Sequence, residues 1–170
     1  MLPSTIKNWT VIIDGRSMAG KAESVKLPSL ERNMVDYEGG GMLGPVEIDM
    51  GIKKLTMEFT LKEFNPEVIA LWGLFGANAI GARFLAAETA EASDASVDAI
   101  EIAVRGRWNK LDLGEAKKGE ANALAVAMPL TSYKYSRNGV LLHHIDLVNN
   151  IEVVDGVDRL ATINAAIGLG

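Results

Sequence analysis

Over Lys54–Lys62 the chain alternates with a period of two: Leu55, Met57, Phe59 and Leu61 fall on one side, Lys54, Thr56, Glu58, Thr60 and Lys62 on the other. Successive residues of a strand point to opposite faces, so this pattern is a strand with one face buried and one face wet. Upstream, Leu27–Ile52 also reads as extended chain, interrupted by three consecutive glycines, Gly39, Gly40 and Gly41. Glycine adopts the backbone angles of a tight reversal at little steric cost, so the run predicts a long β-hairpin over about 27–62, turning at the glycines. A hairpin of that length extends past the body that carries it. Its free edges are then available to other chains.

The rest of the sequence predicts a mainly β domain around that hairpin. Trp9–Ile13 is a short apolar strand closed by Asp14-Gly15, and Ala22–Leu30 is a second extended piece in which Pro28 suits a strand end. Asn65-Pro66-Glu67 is a helix start: a capping side chain, proline at the first helical position and an acid in the first turn. That helix is expected to present Val68, Leu71, Trp72 and Phe75 on one face and to stop at Gly76. Ala86–Ser96 reads as a polar surface loop, and Lys110–Glu120, with Gly114 and Gly119, as another. Strand signal lies at Ile100, Ile102 and Val104, and again over Ala121–Tyr135, where Leu124, Val126, Met128 and Leu130 alternate with small residues. Arg137-Asn138-Gly139 is a hairpin turn returning as a strand over Val140–Val148. Asp158–Ile167, ended by Gly168, reads as a short helix with Leu160, Ile163 and Ile167 inward. No internal repeat is present. The expected fold is a single domain over 1–170, a β-sandwich or barrel-like body with one or two short α-helices.

Bulk properties narrow the function. At 170 residues the chain supports one core. Its 17 basic and 22 acidic residues include no basic block, which argues against a stably bound nucleic acid. Cysteine is absent, so disulfide and thiolate chemistry are excluded. The start, MLPSTIKNW, lacks the apolar core of a signal peptide, and no apolar run has the length of a membrane span; a soluble protein made in the cytoplasm is expected.

Two patterns imitate nucleotide sites. Gly15–Ala22, GRSMAGKA, follows the phosphate-loop spacing but ends in alanine, which has no hydroxyl for magnesium, and no helix signal follows. Gly39–Gly44, GGGMLG, has the spacing of a dinucleotide fingerprint, yet Pro45 and an alternating strand follow where a helix is required. His143 and His144 are adjacent on a strand and so point apart, which prevents a shared metal. Trp9, Trp72 and Trp108 suit a core or an interface. Neither catalytic residues nor a cofactor or metal site are expected.

Three segments carry a family resemblance: Ile13–Gly51, with its LPSL…YEGGGMLGPVEIDMG run; Val104–Glu120, VRGRWNKLDLGEAKKGE; and Ile145–Leu169, containing DGVD at Asp155–Asp158. Together these resemble the major tail tube protein of contractile-tailed phages and of R-type pyocin-like particles. The resemblance implies homohexameric rings, stacked into a tube with an inner barrel shared by all six subunits. It also implies a sheath outside, a tape-measure protein, baseplate and terminator proteins, location in a virion tail or bacteriocin particle, and transit of DNA in a phage or ions in a headless particle. In that setting Gly39, Gly40, Gly41 and Met42 are expected to form an inter-subunit loop. A conduit for DNA should not be basic, so Glu31, Glu47, Asp49 and Glu58 are the candidate lumen-facing residues, against Arg32, Lys53, Lys54 and Lys62. The competing reading of these acids is a solvated outer surface. Other functions to weigh are a related secretion-system tube protein or a self-contained β-sandwich binding module, with an enzyme third.

Overall fold

The computed structural model describes residues 2–91 and 96–169. In chain order the strands are β1 (Ser4–Ile13), β2 (Arg16–Ser17), β3 (Ala22–Lys26), β4 (Arg32–Tyr37), β5 (Val46–Ile52) and β6 (Leu55–Leu61). A single helical turn, α1 (Pro66–Ile69), leads to β7 (Ile80–Ala90), β8 (Val97–Gly106), β9 (Lys110–Asp112) and β10 (Leu124–Arg137). The chain ends with β11 (Val140–Asp146), β12 (Ile151–Val154), β13 (Val157–Asp158) and α2 (Ala161–Ala166).

The fold is organised by β10. Along one edge of its first half runs β6, paired from Leu124↔Leu61 to Leu130↔Leu55, and β3 adds on beyond β6. Its second half pairs with β8 on one edge and β11 on the other. A register irregularity between Leu130 and Ser132, next to Pro129, separates the halves, which is where a residue without an N–H is tolerated in a strand. From β10 the antiparallel sheet continues through β8, β7, β1 and β2 in one direction and β11, β12 and β13 in the other. Among the described residues the path stays open and does not close into a barrel.

One core fills the space enclosed by this bent sheet. Leu55, Met57, Phe59 and Leu61 of β6 are each at most 1% exposed, as the alternation required. They meet Leu124, Val126, Met128 and Leu130 of β10 and the inner face of β1, β7 and β8, including Val11, Ile13, Phe84, Ile102 and Val104. Trp108 lies edge-on to Phe59, ring centroids 6.0 Å apart, and its indole N–H donates to the Val68 carbonyl at 3.0 Å. That bond ties α1 to the body. Asn65 caps α1 as the sequence indicated, its Oδ1 accepting from the Glu67 and Val68 backbone N–H groups.

The structure corrects several expected elements. Most of the Ala86–Ser96 loop that falls among described residues is strand: β7 continues to Ala90, with Ala86 opposite Trp9 and Ile100, and Glu88 opposite Asp98. Cross-strand pairing on both sides outweighs the weak strand preference of alanine and glutamate there. Residues 92–95 of that expected loop lie outside the described residues. Inside the charged Lys110–Glu120 excursion, Lys110–Asp112 pairs with β10. The helix at Pro66 ends after one turn: beyond Ile69 the chain continues in tighter turns, with the Leu71 N–H donating to the Val68 carbonyl and the Trp72 N–H to that of Ile69, and Gly73, at φ +82°, reverses it before Gly76. Trp72 and Phe75 are consequently 54% and 98% exposed and not on a core-facing stripe. The C-terminal helix begins at Ala161, and Ile163 and Ile167 point away from the core, with no buried residue in α2.

Candidate functional site

The expected hairpin over 27–62 divides in two. Leu55–Leu61 belongs to the main sheet, whereas β4 and β5 form a separate two-stranded ribbon, with the register Tyr37↔Val46, Asp36↔Glu47, Val35↔Ile48 and Met34↔Asp49. At about 3.3 Å per residue the ribbon is roughly 20 Å long. Every residue of β4 is exposed, as are Val46–Met50 of β5. A lone two-stranded ribbon is marginal in water, and both of its outer edges carry unpaired N–H and C=O groups.

The register sorts the ribbon into two chemically distinct faces. Residues directly opposite share a face, so Val35, Tyr37, Val46 and Ile48 lie together, joined by Met50 two residues along β5. These five side chains are 45–63% exposed. The other face carries Asp36, Glu47 and Asp49 with Met34. Asp36 and Glu47 are direct neighbours of like charge, and among the described residues the salt bridge on this face is Arg32 to Asp49, 3.6 Å. Like charges placed opposite each other destabilise a ribbon by some tenths of a kcal/mol.

The tip spans Glu38–Pro45. The Met42 N–H donates to the Gly39 carbonyl at 3.2 Å, closing a turn that leaves Leu43 fully exposed and Met42 partly so. The three glycines are not equivalent. Gly41 sits at φ +85°, a conformation that side chains with a Cβ rarely adopt. Around Gly40 there is open space, and a Cβ on Gly39 would come 3.0 Å from the Tyr37 hydroxyl.

Of the four acids expected to act together, the structure unites Glu47 and Asp49. Glu31 lies below β4, paired with Lys53 at 3.2 Å, and the Lys53 N–H donates to the Glu31 carbonyl, closing the ribbon's base. Glu58 is on β6, opposite Ala127 and Lys26, in the main sheet. Asp36 completes the acidic face and was missed by sequence reasoning. Its signal was the NMVDY alternation, legible once the register with β5 is known.

The imitation nucleotide motifs take no such role. Gly15 and Gly20, at φ +78° and +77°, occupy turns on either side of β2, and β3 follows directly. His144 and His143 sit opposite Lys134 and Tyr135 on β11, on different faces. Among the described residues no three histidine or acidic side chains gather as a metal-binding group, and no helix is long and apolar enough to cross a membrane.

The comparisons with known proteins agree on one architecture. The phage tail tube protein FII family matches residues 3–168. The tail tube protein of Escherichia phage P2 is 36% identical over 171 residues, covering 99% of each chain. The major tail tube protein of Serratia phage KSP20 is 33% identical over 170 residues, covering 99% of this chain and 98% of its own. Among solved structures, the sheath/tube terminator of the PVC extracellular contractile injection system superimposes with a TM-score of 0.60 at 8% identity, over 80% of this chain and 98% of its own. A chain of the PVC sheath–tube complex gives 0.56 at 10% identity, over 79% and 91%. At such low identity these two are likenesses of fold.

Proposed function

The chain belongs to the phage tail tube protein FII family, and from that membership we propose that it assembles into homohexameric rings stacked as the inner tube of a contractile tail. The observation that carries this reading is the ribbon. It presents an apolar face and two free edges that one copy of the chain leaves uncovered, and ring closure by head-to-tail contacts would cover both. The exposed apolar residues of the C-terminal segment support the same reading, since Ile163 of α2 and Ile167 and Leu169 after it need a partner surface.

In this assembly the ribbons of neighbouring subunits pair edge to edge, and the Gly39–Met42 tip reaches the adjacent subunit or ring. The acidic face is assigned to the lumen, where Asp36, Glu47 and Asp49 would repeat six times per ring. Glu31 and Glu58 are candidates of lower standing, because neither lies on that face. The cation described on that face, Arg32, is paired with Asp49, so DNA passing such a wall meets little free positive charge to hold it. The proposed partners are a sheath, a tape-measure protein, a baseplate and a terminator, in a tail particle assembled from subunits made in the host cytoplasm. A structural role without catalysis accompanies this reading.

Negative-stain electron microscopy of the purified chain across a concentration series tests the proposal. Annular rings or tubes are expected. A monodisperse monomer at every concentration would replace the tube with a self-contained binding module.

A further inference from the structure

The ribbon is joined to the body by few groups, and one of them is a buried charge. At its base Arg32 and Ile52 are register partners. Ile52 packs against the edge of the core. The Arg32 guanidinium turns to the carboxylate of Glu152 on β12, and also lies 3.6 Å from Asp49 within the ribbon. Glu152 is 8% exposed, one of two buried polar residues identified in the body, the other being the α1 cap Asn65. The Glu152 carbonyl accepts the Arg159 N–H at 2.8 Å, where the chain turns toward α2.

We propose that the Arg32–Glu152 pair is a latch that sets the angle at which the ribbon leaves the body, and that Glu152 is a positioning residue for assembly. The inference rests on the tube reading above. A carboxylate is buried at a cost unless it is paired, so Glu152 holds Arg32 in one place more firmly than a surface acid would. Close to Arg32, Gly51 adopts φ +108° and the register slips between Arg32 and Met34, so the backbone there is irregular and does not fix the ribbon's direction by itself. The latch also joins two exposed apolar regions. Because β12 leads through β13 into α2, the ribbon and the C-terminal segment are presented to neighbouring subunits in a fixed relation. A ring closes only if each subunit repeats one angle, so small errors in that relation prevent closure.

The test uses the full chain with Glu152→Gln, Arg32→Met, and the exchange Arg32→Glu with Glu152→Arg. Two readouts are needed. The first is the distance distribution between spin labels at Gly40 and on the outer face of the body at Lys134, measured in dilute monomer. The second is the concentration at which rings or tubes appear by electron microscopy. Glu152→Gln and Arg32→Met should broaden the distance distribution and raise the assembly concentration at least tenfold; thermal unfolding of the body should be little changed in Glu152→Gln and should shift down in Arg32→Met, which leaves the buried carboxylate unpaired. The exchange should recover part of both losses. An unchanged distribution in both single variants overturns the latch, whether or not the wild type assembles. Should one of them fail to fold, the other decides: a distribution as narrow as wild type overturns the positioning role, and a broader one supports it, with Arg32→Lys, which keeps the charge, staying narrower. Failure of wild-type assembly with a narrow distribution would reject the tube reading and leave the latch standing as a monomer property.

Discussion

Strand β6 and the β4–β5 ribbon are written in the same alternating pattern, and they end in opposite situations. In β6, Leu55, Met57, Phe59 and Leu61 are buried to 1% exposure or less. In the ribbon, Val35, Tyr37, Val46, Ile48 and Met50 alternate just as well and remain 45–63% exposed. The difference lies in what pairs with each. Both edges of β6 are taken, by β10 and β3, and its apolar face closes the core. Among the described residues the ribbon pairs only within itself. Period-two alternation therefore reports a strand with a face to cover. It does not say whether the cover comes from the same chain.

The largest expected effect separates the two regions by deletion of one side chain in each. Phe59→Ala removes a fully buried ring beside Trp108 and should destabilise the monomer by about 3–5 kcal/mol. Ile48→Ala, on the exposed ribbon, should change monomer stability by no more than about 0.5 kcal/mol while strongly impairing assembly. Urea unfolding of dilute monomer checks both. Comparable losses from the two substitutions would mean that the ribbon is part of the monomer's cooperative body.

Glycine substitutions sharpen the contrast. A Cβ at Gly106 would lie 2.2 Å from the Pro129 carbonyl oxygen and 2.8 Å from the Met128 side chain. Since that oxygen is backbone in a paired strand, Gly106→Ala should cost about 1–3 kcal/mol. Gly41→Val forces a β-branched residue to φ +85° and should cost about 1–3 kcal/mol as well, with the strain confined to the tip. Gly40→Val meets open space and should leave the monomer at wild-type stability. If the tip reaches a neighbouring subunit, this variant nonetheless fails to polymerise, and normal tubes from it would show that Gly40 has no part in the contact.

A smaller effect is expected at the helix start. Asn65→Ala removes the side-chain oxygen that accepts from the Glu67 and Val68 N–H groups and should cost about 1–2 kcal/mol in thermal unfolding of monomer. Hydrogen exchange offers a companion measurement without mutation. Amides of β6 should be protected in monomer and tube alike, and those of β4 and β5 only in the tube. Equal ribbon protection in both states would contradict inter-subunit pairing.

How much of this was legible in the sequence follows from the range of the interactions involved. The β6 strand, the Asn65 cap and the Asn138-Gly139 turn, with both residues at positive φ, are set by neighbouring residues and were read correctly. The Ala86–Ala90 stretch was not, because its strand character comes from β1 and β8, both far along the chain. The same limit explains the acids. Glu47 and Asp49 were named from their alternating positions and the expectation of a non-basic conduit, but Asp36 joins them only through the register of β4 with β5, and Glu58 departs because β6 leaves the ribbon for the main sheet. Lysine and arginine positions gave no hint of the Arg32–Glu152 pair, whose members are 120 residues apart.

The smallest effect concerns acid, and it acts at the end of the body where β8 meets the β10–β11 turn. Asp98 accepts from the Asn138 side-chain amide at 2.8 Å and pairs with Arg137 at 2.5 Å, and Arg137 also lies 2.8 Å from Glu88. The Asn138 hydrogen bond first, and the Arg137 guanidinium after it, hold the Asp98 carboxyl below the ordinary aspartate range. A carboxyl lowered in the folded state contributes stability at neutral pH, and that contribution is lost as pH falls through the unfolded-state value of about 4 toward the folded one. The group is near solvent, so the effect is small and salt-sensitive. Urea midpoints of wild type and Asp98→Asn should therefore differ at pH 7 and converge toward pH 3. A midpoint difference that stays constant from pH 7 to pH 3 would show that the ionisation of Asp98 does not stabilise the body, and that its hydrogen bonds act through geometry alone.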